Sequence, residues 1–331
     1  MSGGYKMDNG FINTLNRNYS AIFNFTGGLD SQEAVMSIAL QYTMANKMYN
    51  GLQQEEMMKK INAGRRFASV VNSYSKERIL LEKVAAKIVA QGEVDSAIKE
   101  LHLKQELLVA NGFKNDYYCL LAASYLQDEL HAQRAITFYE EMKKQQRFLT
   151  RRSDYPIAVL LTRNGEANLK AHVQTIYQYY NALKEQGFKM GDELQTLAQI
   201  LTFYKVSYVD AIPQYVAHLR KELEIRNMKI RKNLYPSLGL LAITGADTQR
   251  VEQVVLLQEE LSKTKNLKYI SHMAFVIAVQ KVLHDYKEVN ESLTTSQSFD
   301  WMDLFIYSDL LFALPKVLLE SLLPIDLNFF N

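Results

Sequence analysis

The chain has 331 residues, of which 48% are hydrophobic, and its formal net charge is +2. A chain of this size buries enough apolar surface to fold without covalent cross-links, and the single cysteine, Cys119, excludes an internal disulfide framework and a cysteine-rich zinc site. The near-neutral charge disfavours a dedicated nucleic-acid-binding protein. The sequence predicts neither a signal peptide nor a membrane-spanning helix, so we expect a cytoplasmic protein.

The N-terminal part predicts a lead-in followed by a first pair of helices. Residues 1–28 are rich in glycine and asparagine and predict one short helix near residues 11–23. Residues 30–49 and 52–71 have the apolar spacing of helices. No segment of the chain shows the sustained alternation typical of a strand, so the prediction is all-α.

Beyond these helices the chain carries an internal repeat of about forty residues. Each copy has a loop with an apolar marker, an almost wholly apolar helix and then an amphipathic helix. The markers, which lie 35, 40, 40 and 39 residues apart, are Phe113, Phe148, Phe188, Met228 and Leu267. A weaker copy ends at Tyr74. Such units stack because none can bury its apolar face alone. We therefore predict one domain over 1–331, an α–α superhelix (solenoid) of about seven hairpins between residues 29 and 284, with repeats of 35–42 residues.

The loops of the repeat carry capping residues. Asp116, Asp154 and Asp192 precede the apolar helices by the same distance, and we predict that they are N-caps. The loops begin with a residue suited to a left-handed backbone conformation at the end of the amphipathic helix. These residues are Gly112, Gly187, Asn227 and Asn266.

The C-terminal segment, residues 285–331, differs from the rest in charge. It holds eight acidic residues and two lysines, a net charge of −6, which leaves +8 on residues 1–284. It is also strongly apolar. We interpret it as a cap on the last hairpin that contacts the basic body, because an open array needs a covered end. A homodimer or partner contact and a membrane-surface helix are the alternative interpretations.

The second and third repeat units, which carry Phe148 and Phe188, contain residues that resemble a known family. The resemblance extends from about residue 10 to 290 and is most specific in two runs: Phe148-Leu149-Thr150 with Asp154-Tyr155-Pro156 and Ala158-Val159-Leu160-Leu161, and Gly187-Phe188-Lys189 with Gly191. This family is found mainly in low-GC Gram-positive bacteria and is catalogued as a domain of unknown function. The resemblance implies a bacterial protein and no activity, cofactor or site residue.

A more distant resemblance is to tetratricopeptide and pentatricopeptide arrays. The segment from Ala135 to Met142, with a small residue four positions before Tyr139, is similar to the second helix of such a unit. Pentatricopeptide arrays read RNA bases through polar side chains of the first helix. Four of the five corresponding positions here cannot hydrogen-bond a base, so the sequence predicts no base-reading code.

Cations are concentrated in two of the loops, which contain no acidic residue between the cations. They are Lys143, Lys144, Arg147, Arg151 and Arg152 in one loop, and Arg226, Lys229, Arg231 and Lys232 in the other. Lys263, Lys265 and Lys268 follow in the next loop. Equivalent loops of an array lie along one edge, so these residues are our candidate partner-binding site. The alternative is structural, because cations stabilise helix C-termini by about 0.3–1 kcal/mol each.

No other residue pattern predicts a chemical site. The six histidines are scattered without a zinc-binding spacing, so we predict no metal site and no cofactor. The functional prediction is a non-enzymatic scaffold that binds a protein or peptide segment, possibly acidic. The alternatives are an enzyme built as a closed α/α toroid around convergent carboxylates, and sequence-independent RNA binding, which the charge makes unlikely.

Overall fold

The computed structural model describes residues 9–27, 31–63, 76–91, 94–165 and 168–289, together with 303, 305 and 306. These residues form fourteen α-helices and three single-turn 3₁₀ helices, which confirms the all-α prediction. The α-helices are α1 (Asn9–Phe25), α2 (Gln32–Met44), α3 (Gly51–Ala63), α4 (Lys76–Gln91), α5 (Val94–Ala110), α6 (Tyr117–Ala123), α7 (Glu129–Gln145), α8 (Tyr155–Leu161), α9 (Leu169–Glu185), α10 (Asp192–Leu201), α11 (Ala211–Ile225), α12 (Tyr235–Ile243), α13 (Thr248–Ser262) and α14 (Ser271–Val289). The weak repeat copy at Tyr74 and most of the C-terminal segment lie outside the described residues.

The helices pack as seven hairpins, each with an odd-numbered outer helix followed by an even-numbered inner helix. The inner helices are buried on all faces: every residue of α8 is buried, as is α2 from Ala34 to Met44. The outer helices bury one stripe each, at the helical spacing seen in α7. The distribution of apolar residues therefore predicted correctly which helices lie inside. Helix α1 is the outer helix of the first hairpin, so the lead-in residues contribute to the array.

The array closes on itself. Helix α14 packs against α12 and α13 and also against α2, so the last inner helix contacts the first. The amide of Asn266 donates to Asn16 Oδ1 across this seam at 2.9 Å, and the Lys281 ammonium lies 5.2 Å from the centroid of the Phe11 ring. The superhelix is therefore a ring of seven hairpins, and it has two faces, one at each end of the inner helices.

At the C-terminal ends of the inner helices, which we call the mouth, side chains from neighbouring helices bind the last carbonyls. His131 Nε2 lies 2.8 Å from the carbonyl of Val159 at the end of α8. Tyr215 donates to the carbonyl of Ala246 after α12 at 2.5 Å, and Lys87 donates to that of Ser124 after α6 at 2.8 Å. The last carbonyls of a helix have no partner within it, so these bonds satisfy groups that burial would otherwise penalise.

At the N-terminal ends of the inner helices, which we call the rim, aromatic contacts join successive hairpins. The ring of Phe113 packs edge-on against Tyr155 of the next inner helix, with centroids 4.7 Å apart, and Phe188 packs against Tyr235 at 4.9 Å. The Tyr235 hydroxyl accepts a hydrogen bond from the backbone N–H of Lys189 at 3.1 Å. The tyrosines that begin α8 and α12 thus tie each helix to the preceding loop.

Several capping predictions are confirmed and several are wrong. Gly112, Gly187 and Asn227 have positive φ, and the Asp116 side chain caps α6 by accepting from the N–H of Cys119. Asn266 instead lies in a 3₁₀ turn. Asp192 is the first residue of α10, after Gly191, and Asp154 makes no N-cap hydrogen bond to α8. The marker Phe148 is 87% exposed. Phe148 is therefore not equivalent to the other four markers, which are buried.

Candidate functional site

All nine predicted partner-binding cations lie at the rim, in the last turn of an outer helix or in the loop that follows it. Five of them have acidic partners within the structure. Lys144 and Arg226 pair with Glu141 and Glu222 on their own helices. The other three pairs join different hairpins: Arg152 with Asp116 at 3.1 Å, Arg151 with Asp192 at 3.8 Å, and Lys232 with Glu193 at 3.0 Å.

These inter-hairpin pairs explain why the loops lack acidic residues of their own. Asp116, Asp192 and Glu193 lie at the N-termini of inner helices, where a negative charge is favoured by the helix dipole. Each then meets a cation from the loop of an adjacent hairpin. Part of the set therefore has a structural role, as ion-pair partners between hairpins, which differs from the predicted stabilisation of helix C-termini. Because these groups are partly exposed, each pair contributes at most about 1 kcal/mol.

The other cations of the set have no acidic partner among the described residues. Arg147, Lys229 and Arg231 are exposed, and Lys143 lies over the ring of Tyr139 at 5.8 Å. Lys189, Lys265 and Lys268 on the same rim are also exposed and have no ion pair within the described part of the chain. We call Arg147, Lys189, Lys229, Arg231, Lys265 and Lys268 the free rim cations.

Large apolar side chains protrude beside these cations. Phe148 is 87% exposed, Ile225 81%, Tyr269 78% and Met190 59%. Three of them directly follow a free rim cation in sequence, and Ile225, the last residue of α11, lies four residues before Lys229. Four successive hairpins thus present a cation and an apolar side chain together. The sequence alone did not predict this pattern, because Phe148 occupies the same place in the repeat as the buried Phe113 and Phe188. Clustered exposed apolar groups are typical of interaction surfaces.

A buried carboxylate lies just beneath the rim. Asp154 Oδ2 accepts from the N–H of Arg151 at 2.7 Å, and its Oδ1 lies 3.5 Å from the Gln199 amide of α10. Desolvation by burial raises the pKa of Asp154 to about 7. The group therefore joins the fourth hairpin to the fifth, and it takes up a proton near neutral pH.

The mouth differs from the rim in that it holds two buried histidines, His131 and His172. The backbone N–H of Gln127 donates to His131 Nδ1 at 3.2 Å, which leaves Nε2 as the donor to Val159. Desolvation lowers the pKa of His131 to about 4, and it lowers the pKa of His172, which contacts Thr202 at 2.9 Å, to the same value. These histidines are neutral structural donors.

The mouth also holds an acidic residue of the C-terminal segment. Asp303, whose side chain is 2% exposed, contacts Lys87 of α4 and the Arg163 guanidinium after α8, the latter at 3.3 Å. Phe305 and Ile306 are buried in the same core as the ring. Asp303 thus contacts cations of the second and fourth hairpins, and the predicted cap on the last hairpin stays a prediction.

The seam between the first and last hairpins encloses a polar cavity of about 360 Å³. Its charged lining residues are on α14. Lys281 donates to both oxygens of Asp285, at 2.6 and 2.8 Å. Burial raises the pKa of the Asp285 carboxyl, but the interactions with His284 and Lys281 outweigh it, so the pKa is lowered. The cavity's charged groups are thus engaged with one another.

Within the described residues, no group of three or more histidine, cysteine, aspartate or glutamate side chains is placed to hold a metal ion. Among the described helices, none combines the length and apolar character needed to cross a membrane.

Comparison with known proteins agrees with the resemblance seen in the sequence. The uncharacterised protein YeaA of Bacillus subtilis (strain 168) is 29% identical over 191 residues, which cover 55% of this chain and 57% of YeaA. The alignment therefore spans a little over half of that relative. No solved structure matches the chain. A family model matches residues 18–308, most of the sequence. The chain therefore belongs to the family described as "Protein of unknown function (DUF4003)".

Proposed function

We propose that this ring is a non-enzymatic scaffold of the bacterial cytoplasm that binds an acidic segment of a protein partner along the rim. The observation that carries the proposal is the repeated pairing of a free rim cation with a protruding apolar side chain in four successive hairpins. Cations steer an acidic partner to the surface and select against basic ones. Apolar and aromatic side chains supply the area that holds it.

The paired rim cations support the same proposal indirectly. Arg151, Arg152 and Lys232 bridge adjacent hairpins, so the loops that carry Arg147 and Arg231 are held in fixed positions. A loop that is already ordered loses less conformational entropy when a partner binds. We therefore assign the contact with the partner to the free rim cations, and the paired ones to the support of the loops.

Closure of the ring favours one alternative, an enzyme with its active site inside an α/α toroid. Such a site needs convergent carboxylates. The three buried acids that the structure describes lie apart and have their own partners: Glu82 binds Arg78 at 2.9 Å, Asp303 binds Lys87, and Asp154 accepts from the backbone N–H of Arg151 at 2.7 Å. Sequence-independent RNA binding would use the same rim as the proposed partner. It predicts an affinity that falls with salt at a log–log slope of about −0.7 per phosphate contacted.

The test is a pull-down from lysate of a Gram-positive host, with and without nuclease treatment, followed by binding measurements on the acidic segment of any captured protein. The rim variant replaces Arg147, Lys229 and Arg231 with glutamate. The control variant replaces Lys99, Lys170 and Lys205 with glutamate. These residues are exposed and nearer the mouth, and the net charge changes by the same amount as in the rim variant.

We expect the synthetic acidic segment to bind the wild type and the control equally and the rim variant at least tenfold more weakly, about 1.4 kcal/mol. Equal losses in both variants would show that only net charge matters, and would remove the rim as a site. Loss of all captured material on nuclease treatment would favour RNA.

A further inference from the structure

The mouth of the ring contains a complete site for a carboxylate. Asp303 Oδ1 accepts a hydrogen bond from Lys87 Nζ, and Oδ2 accepts one from Arg163 Nη1 at 3.3 Å. The carboxylate is desolvated, and its two donors come from the second and fourth hairpins, on either side of α6. Hydrogen bonds in which both partners are charged are the strongest that proteins form.

Other contacts position the donor from α4. Lys87 Nζ also donates to the carbonyl of Ser124 at 2.8 Å, and it lies 4.4 Å from the centroid of the Tyr125 ring. Both groups belong to the third hairpin, so the ring itself helps to fix the ammonium beside the place where the carboxylate lies. The site is therefore built from elements of the ring and does not depend on the segment that fills it.

The segment that fills the site combines acidic and apolar residues. Phe305 is 1% exposed and Ile306 2% exposed, so both of these residues, two and three positions after Asp303, lie in the core. In the sequence, residues 288–315 contain five acidic residues and neither lysine nor arginine. Asp303 is separated from Lys87 by 216 residues, so this is a long-range contact between the segment and the ring.

We propose that Lys87 and Arg163 form a binding site for acidic, apolar protein segments, and that the segment around Asp303 is its internal occupant. A partner segment of the same chemistry binds there when it displaces Asp303. An occupant tethered to its site has an effective concentration in the millimolar range, so displacement is controlled by the tether. This site is on the opposite face from the rim, and the inference is independent of the proposed function.

The experiment uses the full-length chain and a fluorescein-labelled peptide with the sequence of residues 298–309, followed by anisotropy. We expect Asp303→Asn to bind the peptide at least tenfold more tightly than the wild type, because neutralising the internal occupant frees the two cations. Adding Arg163→Gln should abolish this gain. A peptide with asparagine in place of its own central aspartate should not bind.

If Asp303→Asn binds the peptide no more tightly than the wild type, Asp303 is a permanent structural contact and the proposal is overturned. Tight binding that Arg163→Gln leaves intact would place the peptide elsewhere, with the same consequence.

Discussion

The two faces of the ring use the same residue types in opposite ways. At the mouth, Lys87 and Arg163 are largely buried and are bound to Asp303, and Lys87 also binds a helix carbonyl. At the rim, Arg147 and Arg231 are exposed and have no acidic partner in the described part of the chain. Burial decides the difference, because a desolvated charge requires partners whereas an exposed one is satisfied by water.

This contrast separates residues that stabilise the ring from those available to a partner. A cation bound to an acid of its own chain stabilises the fold, and another molecule can bind it only by displacing that acid. An exposed cation beside a protruding apolar side chain contributes little to stability, so its placement is better explained by binding. Substitutions at the two faces should therefore affect different measurements.

The largest expected effect is at the mouth, for Lys87→Met. The change removes the partner of Asp303 and the donor to the Ser124 carbonyl, and it leaves a buried carboxylate with one cation fewer. Breaking a buried pair from one side costs about 3–5 kcal/mol. We expect a loss of that size in the free energy of unfolding in urea.

The matched control at the rim is Arg152→Met, which breaks the more exposed pair with Asp116. Its expected cost is below about 1 kcal/mol. If the two substitutions cost the same, then burial does not distinguish the two faces and the comparison fails.

The second prediction concerns acid stability and His131. In the folded state its pKa is lowered to about 4 by desolvation, so between pH 6.5 and 4 the unfolded chain binds the proton and the folded chain does not. Stability is therefore lost as pH falls through this window, by about 2 kcal/mol between pH 7 and 5. We expect His131→Gln to lose about that much less than the wild type on the same acidification. His218→Gln, at a side chain that is 70% exposed, is the control and should follow the wild type.

Asp154 beneath the rim should respond with the opposite sign. Desolvation raises its folded-state pKa to about 7, so between pH 7 and 3.8 the folded chain binds the proton and the unfolded chain does not. Its protonation therefore adds stability on acidification, about 2 kcal/mol between pH 7 and 5. Asp154→Asn should remove this gain, and urea unfolding at the two pH values measures the difference. A variant that loses no more stability than the wild type on acidification would show that this carboxylate is ionised in the fold.

Local features of the sequence predicted the helices and much of their packing. Apolar residues on every face identified inner helices such as α8, and glycine at positions 112 and 187 marked the helix ends where the backbone is left-handed. Closure could not be predicted in this way, because it depends on the angles accumulated over seven hairpins. Close contacts set these angles: a Cβ added to Gly239 would lie 2.7 Å from Leu197 in the adjacent inner helix.

The candidate site was predicted only in part, for reasons of distance along the chain. The loops at 147–152 and 226–232 are basic in the sequence, but their acidic partners Asp116, Asp192 and Glu193 come from other hairpins. The sequence therefore gave no means of separating paired from free cations. Asp303 and Lys87 lie still farther apart in the sequence, and only the ring brings them together.

The smallest expected effect on stability is at Phe148, and it tests the rim most directly. Phe113 and Phe148 follow their helices alike, but Phe113 is 2% exposed and packs against Tyr155 whereas Phe148 is 87% exposed. Phe113→Ala should therefore cost about 3–5 kcal/mol in urea unfolding, and Phe148→Ala no more than about 0.5 kcal/mol. Phe148→Ala should nevertheless weaken binding of an acidic partner segment, because an aromatic side chain exposed on a fixed loop is a typical binding anchor. If it changes neither stability nor binding while the glutamate variant of the free rim cations abolishes binding, the rim acts through its charge alone.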